Sequence, residues 1–255
     1  MEKAEPPQAE PPPSYAALEE QGATNDVIQP VILILAGRLI YSESAGPSSS
    51  SVLYELDHDV NYLSRADHKV EFSRHEARVR TSSGGGSAHT STYQRHIYNL
   101  ESPHALTSTS RYGFFLTAVS RKALGHVGLK KTTTTTSAGL PRSGFKVLRI
   151  NSSGGGEDAE LFEITRKEGR CEWWDTEGRR IAIEDAGERE SGGLLKMILT
   201  TALPRQQADA LVATWCLRLW HDAAMNEDAS IFSGVKKKLG IRKWGLEWGY
   251  PGHTP

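Results

Sequence analysis

Between Ala208 and Trp220, ten of thirteen residues are apolar, and only Asp209, Thr214 and Arg218 interrupt the run. A helix on a protein surface carries one apolar stripe and one polar face. This segment contains "LVATWCLRLW", Leu211 to Trp220, and has no polar face of useful width. Pro204 stands ahead of it, and proline is well tolerated in a first helical turn. Residues 204–222 therefore read as a helix that needs protein on most of its circumference. Residues 204–221 would span about 27 Å as a helix, roughly the height of a small barrel.

What surrounds such a helix must come from upstream, and upstream the chain reads as short strands. "PVILILAGRLIYS" gives a strand, a Gly turn and a second strand. "VLYELDHDV" alternates apolar and polar residues in its first half, and "HKVEFSRHEARVRT" sets Val70 and Phe72 on one face. "YQRHIYNL", "YGFFLTAVSRK", "FKVLRI" and "AELFEITRK" follow, rich in aromatic and β-branched residues. "CEWWDTEGRRIAIED" predicts two strands across a tight "DTEG" turn, and "LLKMILTTAL" closes the series. "SSGGGSAHTS" and "NSSGGGED" read as loops, and so does "KKTTTTTSAGLPRSG", where five threonines run without alternation. Roughly nine to twelve short strands with Gly/Ser turns and one late helix argue for a mainly β fold. The economical form is a closed antiparallel barrel around the C-terminal hydrophobic helix. Three regions follow: a disordered Pro-rich tail over 1–27, the barrel over 28–228 with its central helix at 204–222, and a basic, aromatic extension over 229–255.

A sheet-and-helix pattern of this kind resembles the tubby C-terminal-like superfamily, which includes LURP-one-related and phospholipid-scramblase-like proteins. The resemblance is carried by "VLYELDHDVNYLSRADHKVEF", "RHIYNL", "GFKVLRI", "ELFEITRKEGRCEWWDTEGRRIAIED" and "QADALVATWCLRLWHDAA". It covers roughly residues 28–225 and is that of a divergent, fungal-type member. It implies a barrel wrapped around a buried last helix, and phosphoinositide binding or scramblase-related behaviour at a membrane. It carries no family residue over to a numbered position in this chain.

Lys and Arg total 30 against 31 Asp and Glu, a balance that marks neither a nucleic-acid binder nor an acidic tail protein. The N-terminal residues lack the apolar core of a secretory signal. The longest apolar run, Val31 to Ala36, is far short of the ~20 residues that a membrane helix requires. Cys171 and Cys216 lie in apolar surroundings and have neither zinc spacing nor a disulfide framework. A cytoplasmic monomer, peripheral at a membrane if anything, is the expectation.

Two short motifs carry functional content. Pro12-Pro13-Ser14-Tyr15 matches PPxY, in which a preformed extended helix docks on an aromatic groove and the tyrosine fills the next pocket. Pro12, Pro13 and Tyr15 are thus candidates for binding a WW domain, such as that of a ubiquitin ligase. The plain alternative is a Pro-rich tail that happens to end in Tyr. The second motif is "FSGVKKKLGIRKWGLEWGY", where Lys236, Lys237, Lys238, Arg242 and Lys243 mix with Trp244 and Trp248. Cations and aromatic rings together suit an anionic lipid surface. The alternative there is an extension whose tryptophans pack back on the barrel. Gly240, Gly245 and Gly249 weaken any continuous helix through this stretch.

Chemistry-bearing patterns are otherwise sparse. "DHD", "RADH" and "SRHE" put His beside acids, but none has metal-ligand spacing, and charged turns and strand ends account for them. The Gly-rich loops match neither phosphate-binding pattern, and there is no GxSxG nucleophile turn. The chain reads as a non-enzymatic binding module without cofactor or metal. A small enzyme with a site of scattered Asp, Glu and His, and a structural or regulatory protein without a ligand, are the other readings.

Overall fold

The computed structural model describes residues 26–43, 51–64, 66–80, 89–102, 112–135, 141–151, 158–167, 169–185 and 194–238. Among these residues fourteen strands run in chain order: β1 (Val27–Ile28), β2 (Ile32–Ala36), β3 (Leu39–Ser42), β4 (Val52–Leu56), β5 (Lys69–Arg80), β6 (His89–Glu101), β7 (Phe114–Ala118), β8 (Val127–Thr135), β9 (Pro141–Arg149), β10 (Ala159–Lys167), β11 (Arg170–Asp175), β12 (Arg180–Asp185), β13 (Leu195–Leu199) and β14 (Leu203–Pro204). A 3-10 turn, Val60–Tyr62, follows β4, and among the described residues one α-helix, α1, covers Arg205–Lys238. Strands β2 to β13 close into a twelve-stranded barrel, with β13 paired to β2 and every neighbouring pair antiparallel.

Each barrel strand points alternate side chains inward. Leu33 and Leu35 of β2, Tyr54 and Leu56 of β4, Val70 and Phe72 of β5, Phe162 and Ile164 of β10, and Met197 and Leu199 of β13 are all buried. Gly37 makes the β2–β3 turn at φ 63°, and Gly178 makes the "DTEG" turn at φ 75°, where a side chain would be strained. Eight strands make a barrel that side chains alone can fill. Twelve leave a wider bore, and an α-helix of about 10–12 Å diameter fits it. That helix is α1: every residue from Ala208 to Trp220 is buried. The all-round apolar character of this segment is thus explained by a sheet that surrounds it.

Four features differ from expectation or refine it. The Lys-Thr run is a strand, not a loop: Lys131 pairs with Phe145, Thr133 with Ser143 and Thr135 with Pro141. Thr has high strand propensity, and this part of the β8–β9 hairpin extends past β7, whose pairing with β8 stops at Leu129. Alternation is not demanded where one face is not buried. The helix ends at Lys238 rather than near residue 222. Its added stretch, "AAMNEDASIFSGVKKK", contains no proline, and the lone Gly234 costs only about 1 kcal/mol. Lys236, Lys237 and Lys238 fall in its last turn. The division between barrel and extension at 228 and 229 therefore falls inside α1. Asp26 and Val27 lie on the structured side of the tail boundary: Val27 pairs with Pro204, and the Arg205 N–H donates to the Asp26 carbonyl at 2.8 Å. Pro12, Pro13 and Tyr15, with the rest of 1–25, and Arg242, Lys243, Trp244 and Trp248 lie outside the described residues.

Candidate functional site

A greasy rod in a greasy bore has no preferred height or rotation. Two of the three polar residues inside α1, Asp209 and Arg218, supply both. Near its start, Asp209 accepts from the Tyr54 hydroxyl at 3.0 Å and from Arg74 of β5. Arg74 also donates to Glu76, which takes Arg95 Nε at 2.9 Å and the Tyr93 hydroxyl. Burial lifts the Asp209 carboxyl to about 6 against the pull of Arg74, Tyr54 and Arg205. Burial also works to raise Glu76, but its donors Tyr93, Arg74 and Arg95 win and hold it at about 2. In mid-helix, the Thr214 hydroxyl returns to the Ala210 carbonyl at 2.7 Å, so it needs no partner from the wall.

Lower down, Arg218 meets Glu184 of β12 with two nitrogens, Nε at 2.9 Å and Nη2, while its Nη1 reaches Asp222 at 2.7 Å. Trp173 Nε1 donates to the same Glu184 at 2.8 Å. Burial raises the Glu184 carboxyl, opposed by the Arg218 charge and the Trp173 N–H. Asp209 and Arg218 lie about 14 Å apart along the helix, so the two ion pairs pin α1 at two heights. Sequence reading registered Asp209 and Arg218 only as interruptions. The rule that buried polar groups find partners was the available signal, but it does not say which strand supplies them.

Below Trp220 the helix leaves the bore, and a cavity of about 210 Å³ opens between it and the wall. Lys131 of β8, Ser143 and Phe145 of β9, Ile164 and Arg166 of β10, Cys171 of β11, and His221, Asp222 and Met225 of α1 line it. Asp222 gathers three donors: Arg218, Arg166 Nη2 at 3.2 Å and His221 Nδ1 at 3.3 Å. Burial works against its ionisation, yet His221, Arg218 and Arg166 together hold it below the ordinary aspartate value. The His221 ring stands edge-on between Phe114 and Phe145, each 5.1 Å away centre to centre. Burial raises the Cys171 thiol, so it is no ready nucleophile; the Cys216 thiol is fully enclosed and raised further. Trp173 is buried while Trp174 points outward to donate to Thr165 at 3.1 Å, the opposed pair expected of adjacent strand residues.

The three His-acid groupings form no common cluster. Asp57 accepts the Glu71 N–H at 2.8 Å and pairs with His58 at 3.0 Å. Asp67 closes a turn on the Ser64 N–H at 2.7 Å, and His75 faces Glu55 at 3.1 Å on the outer wall. Among the described residues no three His, Cys, Asp or Glu side chains converge as a metal site. No described helix is long and apolar enough to cross a membrane. Of the sequence-predicted site residues, Lys236, Lys237 and Lys238 are brought together on the last turn of α1. The others lie outside the described residues, and the exit cavity was not foreseen.

The fold defines a class: a closed twelve-stranded antiparallel barrel whose core is its own C-terminal helix. No protein-family model matches the chain, and neither the curated proteins nor the solved structures searched contain a significant match to it.

Proposed function

We propose that this protein is a non-enzymatic binding module that docks on an anionic membrane surface and recruits a WW-domain partner through its N-terminal PPxY segment. The observation that carries the reading is the filling of the barrel. With Ala208 to Trp220 buried in the bore, ligands meet the module at its rim and on the segments that leave it. Past Ala224, α1 continues to Lys238 for about 21 Å of helix length. It carries Lys236, Lys237 and Lys238 on its last turn, and the sequence beyond adds Arg242, Lys243, Trp244 and Trp248. Each of five such cations contributes about 1 kcal/mol near an anionic leaflet. The closed barrel around a buried last helix also supports the tubby-like resemblance, from which phosphoinositide is the lipid to try first.

Co-sedimentation with neutral, phosphatidylserine and phosphoinositide vesicles tests the reading, using the full chain and a chain ending at residue 228. Salt-sensitive binding to anionic vesicles that is lost on truncation is the expected result. Binding that survives truncation moves the contact to the barrel, and no binding removes the membrane part. For the N-terminal part, Tyr15→Ala is expected to abolish capture by a WW domain, and unchanged capture rejects it.

A further inference from the structure

Lys131 differs from the other cations at the exit mouth. Arg218 is buried on Glu184 and Asp222, and Arg166 holds Asp222. Lys131 lies two residues past buried Leu129 on the inward face of β8, and it opens into the cavity. Among the described residues its side chain has neither an ion pair nor a hydrogen bond. Lys131, Arg166 and Asp222 give the lining two cations for one carboxylate, before His221 is counted. Asp222 already has three donors, so its negative charge is spent on Arg218, Arg166 and His221. The Arg166 side chain is half-exposed; it bonds Asp222 and the Cys171 thiol and keeps further N–H groups. Beside this surplus positive charge stands an apolar wall of Phe145, Ile164 and Met225, with Ser143 at its edge.

The cavity therefore has one polar, cationic side and one apolar side, within about 210 Å³. We infer that it binds a small organic anion: one carboxylate or phosphate monoester at Lys131, on a flat apolar body held between Phe145, Ile164 and Met225. An apolar cavity of ~150 Å³ takes benzene, so this one holds a flat body of about eight non-hydrogen atoms. The Lys131 ammonium and the free Arg166 nitrogens make charge-assisted hydrogen bonds to the anion. The Phe145 ring is already fixed against His221, so the apolar wall is preformed. The site is separate from the Lys236–Lys238 turn and does not rest on membrane docking.

The three methionines make a direct test. Met225 lines the cavity, Met197 is buried in the barrel wall, and Met1 lies outside the described residues. The full chain, labelled with carbon-13 at the methionine methyls, is titrated with phenyl phosphate and with benzoate, and followed by NMR. Inorganic phosphate and benzyl alcohol serve as the half-ligands. A saturable shift of the Met225 methyl, with Met197 unmoved and both half-ligands much weaker, is expected. Lys131→Gln weakens binding about tenfold or more, the loss of one charge-assisted hydrogen bond. Lys130→Gln, on the opposite face of the same exposed hairpin, changes it less than about twofold, because surface charge at that distance is screened. Four results overturn the inference: no saturation by about 10 mM anion, Met197 moving with Met225, equal weakening by the two lysine variants, or inorganic phosphate binding as well as phenyl phosphate. A Met225 response to anionic vesicles but not to phenyl phosphate also overturns it, and gives the site to a lipid headgroup instead.

Discussion

Removing the Arg218 charge with Arg218→Met isolates the lower of the two pins that hold α1. The methionine keeps most of the apolar stem and leaves Glu184 facing the bore with only the Trp173 N–H for company. Glu184 is 4% exposed, so water does not replace the lost guanidinium. An unpaired carboxylate at that depth takes up a proton instead of staying charged. Holding it protonated at pH 7, against an ordinary value of 4.5, spans two and a half pH units; at about 1.36 kcal/mol each this costs about 3.4 kcal/mol, less the part the parent already bears because burial raises its Glu184 too. That agrees with the ~3–5 kcal/mol seen when one partner of a buried pair is removed. The sign with pH follows. The folded-state carboxyl of the variant is raised, so the penalty is absent below the ordinary value and grows as pH rises. At pH 5.5 it shrinks to about 1.4 kcal/mol. Urea denaturation of parent and variant at the two pH values measures this. The double variant Arg218→Met/Glu184→Gln keeps an acceptor for Trp173 and recovers most of the loss at pH 7. A destabilisation that does not change between pH 7 and pH 5.5 refutes the reasoning, because it means that solvent reaches Glu184 once Arg218 is gone.

Further outcomes are expected elsewhere in the molecule. Asp209, lifted to about 6 from an ordinary 3.8, contributes stability that is complete below the lower value and lost as pH rises through the higher. Asp209→Asn should therefore gain about 1.4 kcal/mol relative to the parent between pH 5 and pH 7, measured by the same denaturation. Glu76, held down at about 2, behaves oppositely: its contribution is present above 4.5 and lost in acid, so Glu76→Gln removes part of the parent's loss of stability below pH 4.5. Gly144→Ala places a methyl 2.5 Å from the Ile164 carbonyl oxygen, which cannot turn away, and Gly128→Ala meets the base of the buried Tyr112 ring, whose hydroxyl is held by Asp158, at the same distance. Both should cost about 1–3 kcal/mol in thermal melts. Trp215→Ala opens a void in the fully occupied bore and should cost about 3–5 kcal/mol.

The sequence by itself determined the class of the fold. Ala208 to Trp220 cannot be apolar almost all round without a surrounding wall, and the only material upstream was short alternating strands. Period-two patterning placed Val70 and Phe72 inside, and "DTEG" located a hairpin turn, because both signals are local. Other properties were not local. The Lys-Thr run became a strand because β9 pairs with it, a fact of the partner and not of the threonines. The helix ran on to Lys238 because nothing between Asp222 and that residue stops it. The site stood furthest from the sequence. Asp209 and Arg74 lie 135 residues apart, and Arg218 and Glu184 lie 34 apart. Closing the barrel decides which inward strand position meets each charge on the helix. The same closure turns Lys131, Arg166 and Asp222, unremarkable on three separate elements, into the lining of one cavity.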